Sequence, residues 1–233
     1  MASYDLSRRL VAEALGTAML VATVVGSGIM ATSLTADVGL ALLGNTLATG
    51  AILVVLITVL GPISGAHFNP AVSLIFAMSG SLPKRDLGVY MLAQFAGGVA
   101  GTVCAHLMFN LPLLELSSTV RTGGAQWFSE AIATFGLVAV ILAGIRFEQN
   151  AVSWLVGLYI TAAYWFTAST SFANPAVAFA RSLTDTFSGI RPIDVPGFWL
   201  TEISGAVAAL LLITWLLQPA ASSSSTLSSE AKL

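Results

Sequence analysis

Six long apolar stretches succeed one another along the chain, at about 10–31, 38–60, 87–109, 127–146, 151–169 and 197–217. Each approaches the roughly 20 residues that a helix needs to cross ~30 Å of hydrocarbon. Charges, prolines or polar clusters bound them, such as Pro83-Lys84-Arg85-Asp86 before the third and Arg146-Phe147-Glu148-Gln149-Asn150 after the fourth. The pattern predicts six transmembrane helices. Two further apolar segments, 69–79 and 174–183, are too short to cross, because a helix of about 11 residues rises only ~16 Å. They must dip in and return, which is allowed only where their backbone is buried in protein or lines a wet cavity.

Composition agrees. Of 233 residues, 56% are apolar and 9% charged, with a mean hydropathy of +0.88, whereas a soluble domain carries about 25% charged residues. This excludes a cytosolic enzyme, a disordered protein and a nucleic-acid binder, which would need clustered Lys and Arg. A single cysteine, Cys104, excludes an intramolecular disulfide and a Cys-based metal site. His67 and His106 lie 39 residues apart and lack any helical ligand spacing, so no metal and no cofactor are expected. Arg8-Arg9 before the first span imitates a signal peptide, but the length of the span and Glu13 within it argue against cleavage. An even number of spans puts both ends on one side, with Arg8, Arg9, Lys84, Arg85, Arg146 and Lys232; the other side holds Arg121, Arg181 and Arg191. The excess of positive charge predicts both termini in the cytoplasm.

The two halves resemble each other. Ala12-Glu13-Ala14 echoes Ser129-Glu130-Ala131, His67-Phe68-Asn69-Pro70-Ala71-Val72 echoes Phe172-Ala173-Asn174-Pro175-Ala176-Val177, and Gln94-Phe95-Ala96-Gly97 echoes Glu202-Ile203-Ser204-Gly205. The offsets are 130−13 = 117, 174−69 = 105 and 202−94 = 108, one order of elements with different loop lengths. Three spans per copy is odd, so the second copy enters from the opposite face, and the short segments approach each other from opposite sides. Interrupted segments in an inverted repeat mark a solute path.

Asn is a strong N-cap and Pro suits the first helical position, where its missing N–H would be unpaired anyway. Asn69-Pro70 and Asn174-Pro175 therefore each start a half-helix at mid-membrane. Their positive dipole ends face one another, with two carboxamides ready to donate to a passing oxygen while a cation meets positive potential. Glu13 and Glu130 would be costly in lipid and should face the interior.

These residues resemble the aquaporin superfamily (major intrinsic proteins) over about residues 8–217. Ser64 to Val72, the second Asn-Pro-Ala at 174–176 and the two helix glutamates carry the resemblance. It implies an all-α membrane fold of six helices and two re-entrant half-helices, assembled as a homotetramer with one pore per subunit. The expected division is an N-terminal segment 1–9, a channel domain 10–217 with repeats at about 10–109 and 127–217, and a mobile tail 218–233. By the same resemblance, Glu13 and Glu130 hold the re-entrant loops and His67 lies near the inner vestibule, as packing residue or pH gate. A proton relay through the glutamates is the sharper alternative. For Gln94 and Glu202 the expectation is helix packing beside Gly97 and Gly205.

Where most of the family carries Arg after the second Asn-Pro-Ala, this chain has Val177, which removes a donor and one barrier to cations. Arg181, one turn on, either leans back toward the pore or, the preferred reading, pairs with Asp185. Counting from the motifs gives Thr49 and Ser171 as further filter positions, with Tyr164 preferred to Ala162 on the fifth helix. The nearest resemblance is to bacterial aquaglyceroporins associated with arsenic resistance. It implies passage of water and small neutral solutes (polyols, arsenous acid, methylated arsenicals) across a bacterial plasma membrane, with no enzymatic activity. A water-selective pore, a proton-coupled transporter using Glu13 and Glu130, and a hydrolase built on Ser64 and His67 are the rivals.

Overall fold

A computed structural model describes residues 4–218; the tail expected to be mobile falls almost wholly outside the described residues. Eight α-helices follow in order: α1 Leu6–Leu34, α2 Val38–Ser64, α3 Pro70–Met78, α4 Lys84–Met108, α5 Gly124–Phe147, α6 Val152–Phe166, α7 Pro175–Arg181 and α8 Val195–Leu216. Among the described residues there is no strand. Local chemistry sets several starts. The Asp5 carboxylate accepts from Arg8 N–H and the Asp37 carboxylate from Leu40 N–H, both at 2.9 Å, each satisfying one of the amides a first turn leaves unpaired.

Five of the helices, α1, α2, α4, α5 and α8 (with its short lead-in), are long and apolar enough to cross a membrane. The span expected at 151–169 is present as α6, but its helix ends sooner than the hydropathy suggests. Its α-helix has 15 residues, a rise of about 22 Å, because the chain leaves helical geometry at Thr167 to turn toward the second half-helix. Hydropathy runs on through that turn, so the segment reads longer than it is. Large apolar side chains point outward along the long helices, Val11 and Leu15 on α1, Leu92 on α4 and Leu200 and Leu211 on α8, all more than half exposed. So extensive an apolar surface belongs against lipid.

Helix α1 packs along α4, and α5 along α8 in the same manner. Both crossings close on a glycine. A Cβ on Gly97 would run into the carbonyl of Ala14, and one on Gly205 into that of Ala131. Close approach of this kind is how helices bind where water supplies no driving force. The glycines set the closest backbone approach in each pair.

Half-helices α3 and α7 meet at their N-terminal ends in the centre. They hold 9 and 7 residues, and end to end rise about 24 Å, so together they read as one broken crossing. Arg9 at the start of α1 donates to Tyr90 Oη (2.7 Å) and Asp86 (3.1 Å), and Tyr90 donates to the Ser64 carbonyl (2.9 Å). This network closes the bundle on the face where α1 begins, here the near face. On the far face Asp185 accepts from Ser118 N–H and Oγ at 2.8 and 3.0 Å. The Ser118 amide, with its hydroxyl and that of Ser117, holds the Asp185 carboxyl below the usual carboxylate range. Asp194 accepts from the Arg121 N–H at 2.8 Å and pairs with Arg191 at 3.0 Å.

Candidate functional site

Each half-helix begins on its asparagine. Asn69 Oδ1 accepts from Ala71 N–H at 2.9 Å, and Asn174 Oδ1 from Ala176 N–H at 3.0 Å. Each amide nitrogen reaches across to the other loop: Asn69 Nδ2 donates to the Ala173 carbonyl (2.7 Å), and Asn174 Nδ2 to the Phe68 carbonyl (2.8 Å). An amide has two acceptor sites and two N–H donors. Here the oxygen is spent on capping and one N–H on the cross-link, leaving one N–H per asparagine for something else.

The loops leading to these caps have an unusual backbone. Ala66 and Phe68 (φ 50° and 49°) and Ser171 and Ala173 (φ 51° and 49°) lie in the left-handed region, which costs a non-glycine residue of order 1 kcal/mol or more. A buried glutamate holds each. Glu13 accepts from His67 N–H (3.0 Å), Phe68 N–H (2.7 Å), Ser64 Oγ (2.6 Å) and Gln94 Nε2 (2.8 Å). Glu130 accepts from Phe172 N–H (2.9 Å) and Ala173 N–H (2.7 Å). Glu202 contributes as well, accepting from Asn174 N–H at 3.0 Å while its carboxyl lies against Glu130. Gln94 and Glu202 are thus part of the loop support, which the sequence reading missed. Their matched place in the two repeats, one position set beside each glutamate, was the signal.

A cavity of about 110 Å³, open to water-sized spheres, runs past both asparagines. One water needs ~10–15 Å³ by this measure, so a short file fits. Toward the near face His67, Phe76 and Val152 line it; toward the far face Thr49, Tyr164, Ser171, Phe172, Val177 and Arg181 do. Tyr164 Oη donates to Thr49 Oγ1 at 3.3 Å, whereas Ala162 is exposed on the outside. Pro70, Ala71, Pro175 and Ala176 are buried behind the lining. The lining is chiefly aliphatic with a few polar groups, among them Ser171 Oγ, buried without a protein partner.

Arg181 departs from expectation. Asp185 is engaged with Ser117 and Ser118, and no ion pair joins it to Arg181. Instead Arg181 Nε donates to the Ser188 carbonyl, and the guanidinium carbon lies 3.3 Å from the Phe172 ring centroid. Ser64 and His67 do not form a nucleophile–base pair: Ser64 donates to Glu13, and His67 Nδ1 lies 3.0 Å from Ser73 Oγ. His106 is turned the other way, with Nε2 2.7 Å from Thr184 Oγ1 and Nδ1 against the Pro112 carbonyl. Among the described residues no three His, Cys, Asp or Glu side chains converge as a metal site would require.

Residues 1–149 match the family described as major intrinsic protein. The chain is 71% identical over 220 residues to aquaglyceroporin AqpS of Rhizobium meliloti (strain 1021), covering 94% of each. It is 33% identical over 162 residues to aquaporin NIP1-1 of Zea mays, covering 69% of this chain and 56% of that one. Among solved structures, the aquaglyceroporin from Plasmodium falciparum superposes with a TM-score of 0.67 at 24% identity, covering 91% of this chain and 95% of that one, a likeness of fold.

Proposed function

This chain belongs to the major intrinsic protein family and is a multi-pass membrane channel for water and small solutes; we propose that its solutes are neutral and hydroxylated, from glycerol-like polyols to metalloid hydroxides such as arsenous acid, and that they pass between Asn69 and Asn174. The carrying observation is the amide accounting. Each asparagine has its oxygen and one N–H engaged, so the remaining N–H is left for an oxygen in the lumen. Water or a hydroxyl replaces its lost hydration there, while the two half-helix ends oppose a cation.

Thr49, Tyr164, Ser171 and Val177 form the narrow filter beyond the asparagines. An aliphatic side chain at 177 leaves it more apolar than a guanidinium would, which suits solutes that carry methyl or methylene groups. Support for the wider solute range comes from the name of the rhizobial relative, an aquaglyceroporin. His67 and Arg181 stand in the two vestibules. Glu13 and Glu130 serve the loops: their oxygens are occupied by backbone amides, which argues against a coupled proton carrier. Both termini face the cytoplasm of a bacterial inner membrane, and four copies assemble with one pore each.

A second reading, a water-selective pore, is favoured by one contact, the Tyr164–Thr49 hydrogen bond across the filter. Proteoliposome swelling with water, glycerol, urea and arsenous acid side by side separates the two. The expected result is fast water flux with low activation energy, glycerol and arsenous acid flux above protein-free vesicles, and no dependence on a pH gradient. Val177→Arg should reduce solute flux more than water flux. Equal losses, or none, would remove Val177 from the filter.

A further inference from the structure

Among the described residues Arg181 is the one buried cation that lines the lumen, and position 177 beneath it carries no charge. Its side chain is fixed twice, by the Nε bond to the Ser188 carbonyl and by stacking on Phe172. Stacking suits guanidinium, which is planar and weakly hydrated. Its Nη1 is buried without a partner, as are the hydroxyls of Ser171 and Ser188 nearby in the chain path. Among the described residues no carboxylate makes an ion pair with it. Arg121, whose guanidinium carbon lies 5.1 Å from the centroid of the same Phe172 ring, is likewise bonded to carbonyls, those of Gly189 and Ser169. The far end of the lumen is therefore lined by one guanidinium, that of Arg181, with a second, that of Arg121, against the same Phe172 ring, and both are hydrogen-bonded to neutral carbonyls. A buried charge lacking a counter-ion is costly unless something uses it.

We propose that Arg181 supplies, from one turn farther out, the cation that position 177 lacks: its guanidinium repels cations at the far mouth and, with Ser171 Oγ, docks an oxygen of the hydroxylated solute. A guanidinium donates strongly to an oxygen acceptor, and Ser171 can donate or accept, so the pair can engage a hydroxyl of an oxyacid or polyol through both its oxygen and its proton. Moving the charge outward leaves position 177 itself aliphatic. Charge exclusion and solute width are then set by different residues, Arg181 for the first and Val177 for the second.

This inference rests on reading the cavity as the conducting lumen, and the test separates the two. In planar bilayers and matched proteoliposomes, cation current is measured relative to water flux for the wild type and for Arg181→Leu, Arg181→Gln and Arg181→Lys. The neutral variants are expected to raise the ratio of K⁺ current to water flux at least tenfold, and Arg181→Lys to stay near the wild-type ratio. Arsenous acid flux relative to water flux should fall in both neutral variants. Neutral variants that conduct water and remain cation-tight would overturn the proposal while leaving the channel reading intact; wild-type protein without water flux would overturn the channel reading. Should the variants fail to reach the membrane, the wild type decides. 2,3-Butanedione, a small neutral dicarbonyl, is expected to modify Arg181 in vesicles, read by peptide mass, and to be slowed by excess glycerol. An unmodified Arg181, or modification indifferent to glycerol, would remove it from the lumen.

Discussion

The two halves of the molecule solve one problem with different charges. In both, a loop with left-handed non-glycine residues, Ala66 and Phe68 in the first half and Thr170, Ser171 and Ala173 in the second, is held by a helix glutamate, and a side chain from the last helix of the repeat completes the support. In the first half that side chain is Gln94, whose amide donates to Glu13 at 2.8 Å. In the second it is Glu202, a carboxyl set against the carboxyl of Glu130, with both residues fully buried. An amide always carries its donors, whereas a carboxyl can donate only through a proton of its own. Topology thus repeats while the donor inventory does not. Each supporting side chain leaves one buried oxygen without a partner, Gln94 Oε1 and Glu202 Oε2, but only in the first half does it bring an N–H of its own to the glutamate.

The strongest way to break the comparison is to remove each glutamate in turn. Glu13→Ala leaves the His67 and Phe68 amides and the Gln94 and Ser64 side chains without their acceptor. At about 1–3 kcal/mol per buried unpaired group, the two amides alone cost roughly 2–6 kcal/mol. Glu130→Ala strands the Phe172 and Ala173 amides in the same way, but it also removes a carboxyl from beside Glu202, which lowers the net cost. Thermal unfolding in detergent should rank Glu13→Ala as the more damaging, with flux lost in both. Equal losses would mean that the carboxyl pair is no burden.

Exchanging the partners sharpens the point. Glu202→Gln rebuilds the arrangement of the first half, since Oε1 can keep the Asn174 N–H and the amide can donate to Glu130. Its stability should lie within about 1 kcal/mol of the wild type. Gln94→Glu does the reverse and puts a second carboxyl against Glu13, at roughly 2–4 kcal/mol. A costly Glu202→Gln, measured in the same unfolding assay, would mean that the second half needs its acid.

Legibility in the sequence follows the range of the interaction. Asn69-Pro70 and Asn174-Pro175 could be read as helix starts because capping is decided within three residues, and the structure starts α3 and α7 there. Glu13 and Glu130 stood out as charges in apolar runs. The left-handed Ala66, Phe68, Ser171 and Ala173 carry no such signal, because no glycine marks them and the strain is held from distant helices. Gln94 and Glu202 looked like packing residues since the adjacent glycines explained the helix contact. Arg181 was read with its nearest acid in sequence, but Asp185 was already taken by Ser118 from another loop. End effects on α6 were hidden for a related reason: hydropathy does not record where a helix stops when the following turn is equally apolar.

At the asparagines the halves converge again, and a third prediction is one of equality. Asn69→Ala and Asn174→Ala each delete a cap, worth about 0.5–2 kcal/mol, together with one cross-link to the opposite loop. Because each cross-link joins both halves, either loss should loosen both loops, and the two variants should be destabilised by the same amount within error. Hydrogen exchange of the Phe68 and Ala173 amides should rise in both variants. A response confined to the mutated half would show that the loops are coupled only through the helices.

The smallest effect is expected where the halves are tied by loops rather than helices. Asp185, in the second half, accepts from the Ser118 amide that belongs to the segment between the repeats. Its carboxyl titrates below the usual carboxylate range in the folded protein, so this tether is fully present above about pH 4 and is lost as pH falls through the lowered folded value. The sign follows from linkage: the unfolded chain takes up its proton first as pH drops. Asp185→Asn keeps an acceptor but not the charge, so exchange at the Ser118 amide should quicken at neutral pH by about threefold to tenfold, with flux untouched because Asp185 lies outside the cavity lining. In the wild type the same loss of protection, taken relative to the intrinsic exchange rate at each pH, should appear only on acidification. An amide at Ser118 that exchanges alike in both proteins across this range would mean that the far-face loops are positioned by Arg121 and its carbonyls, and that the halves are joined at the asparagines alone.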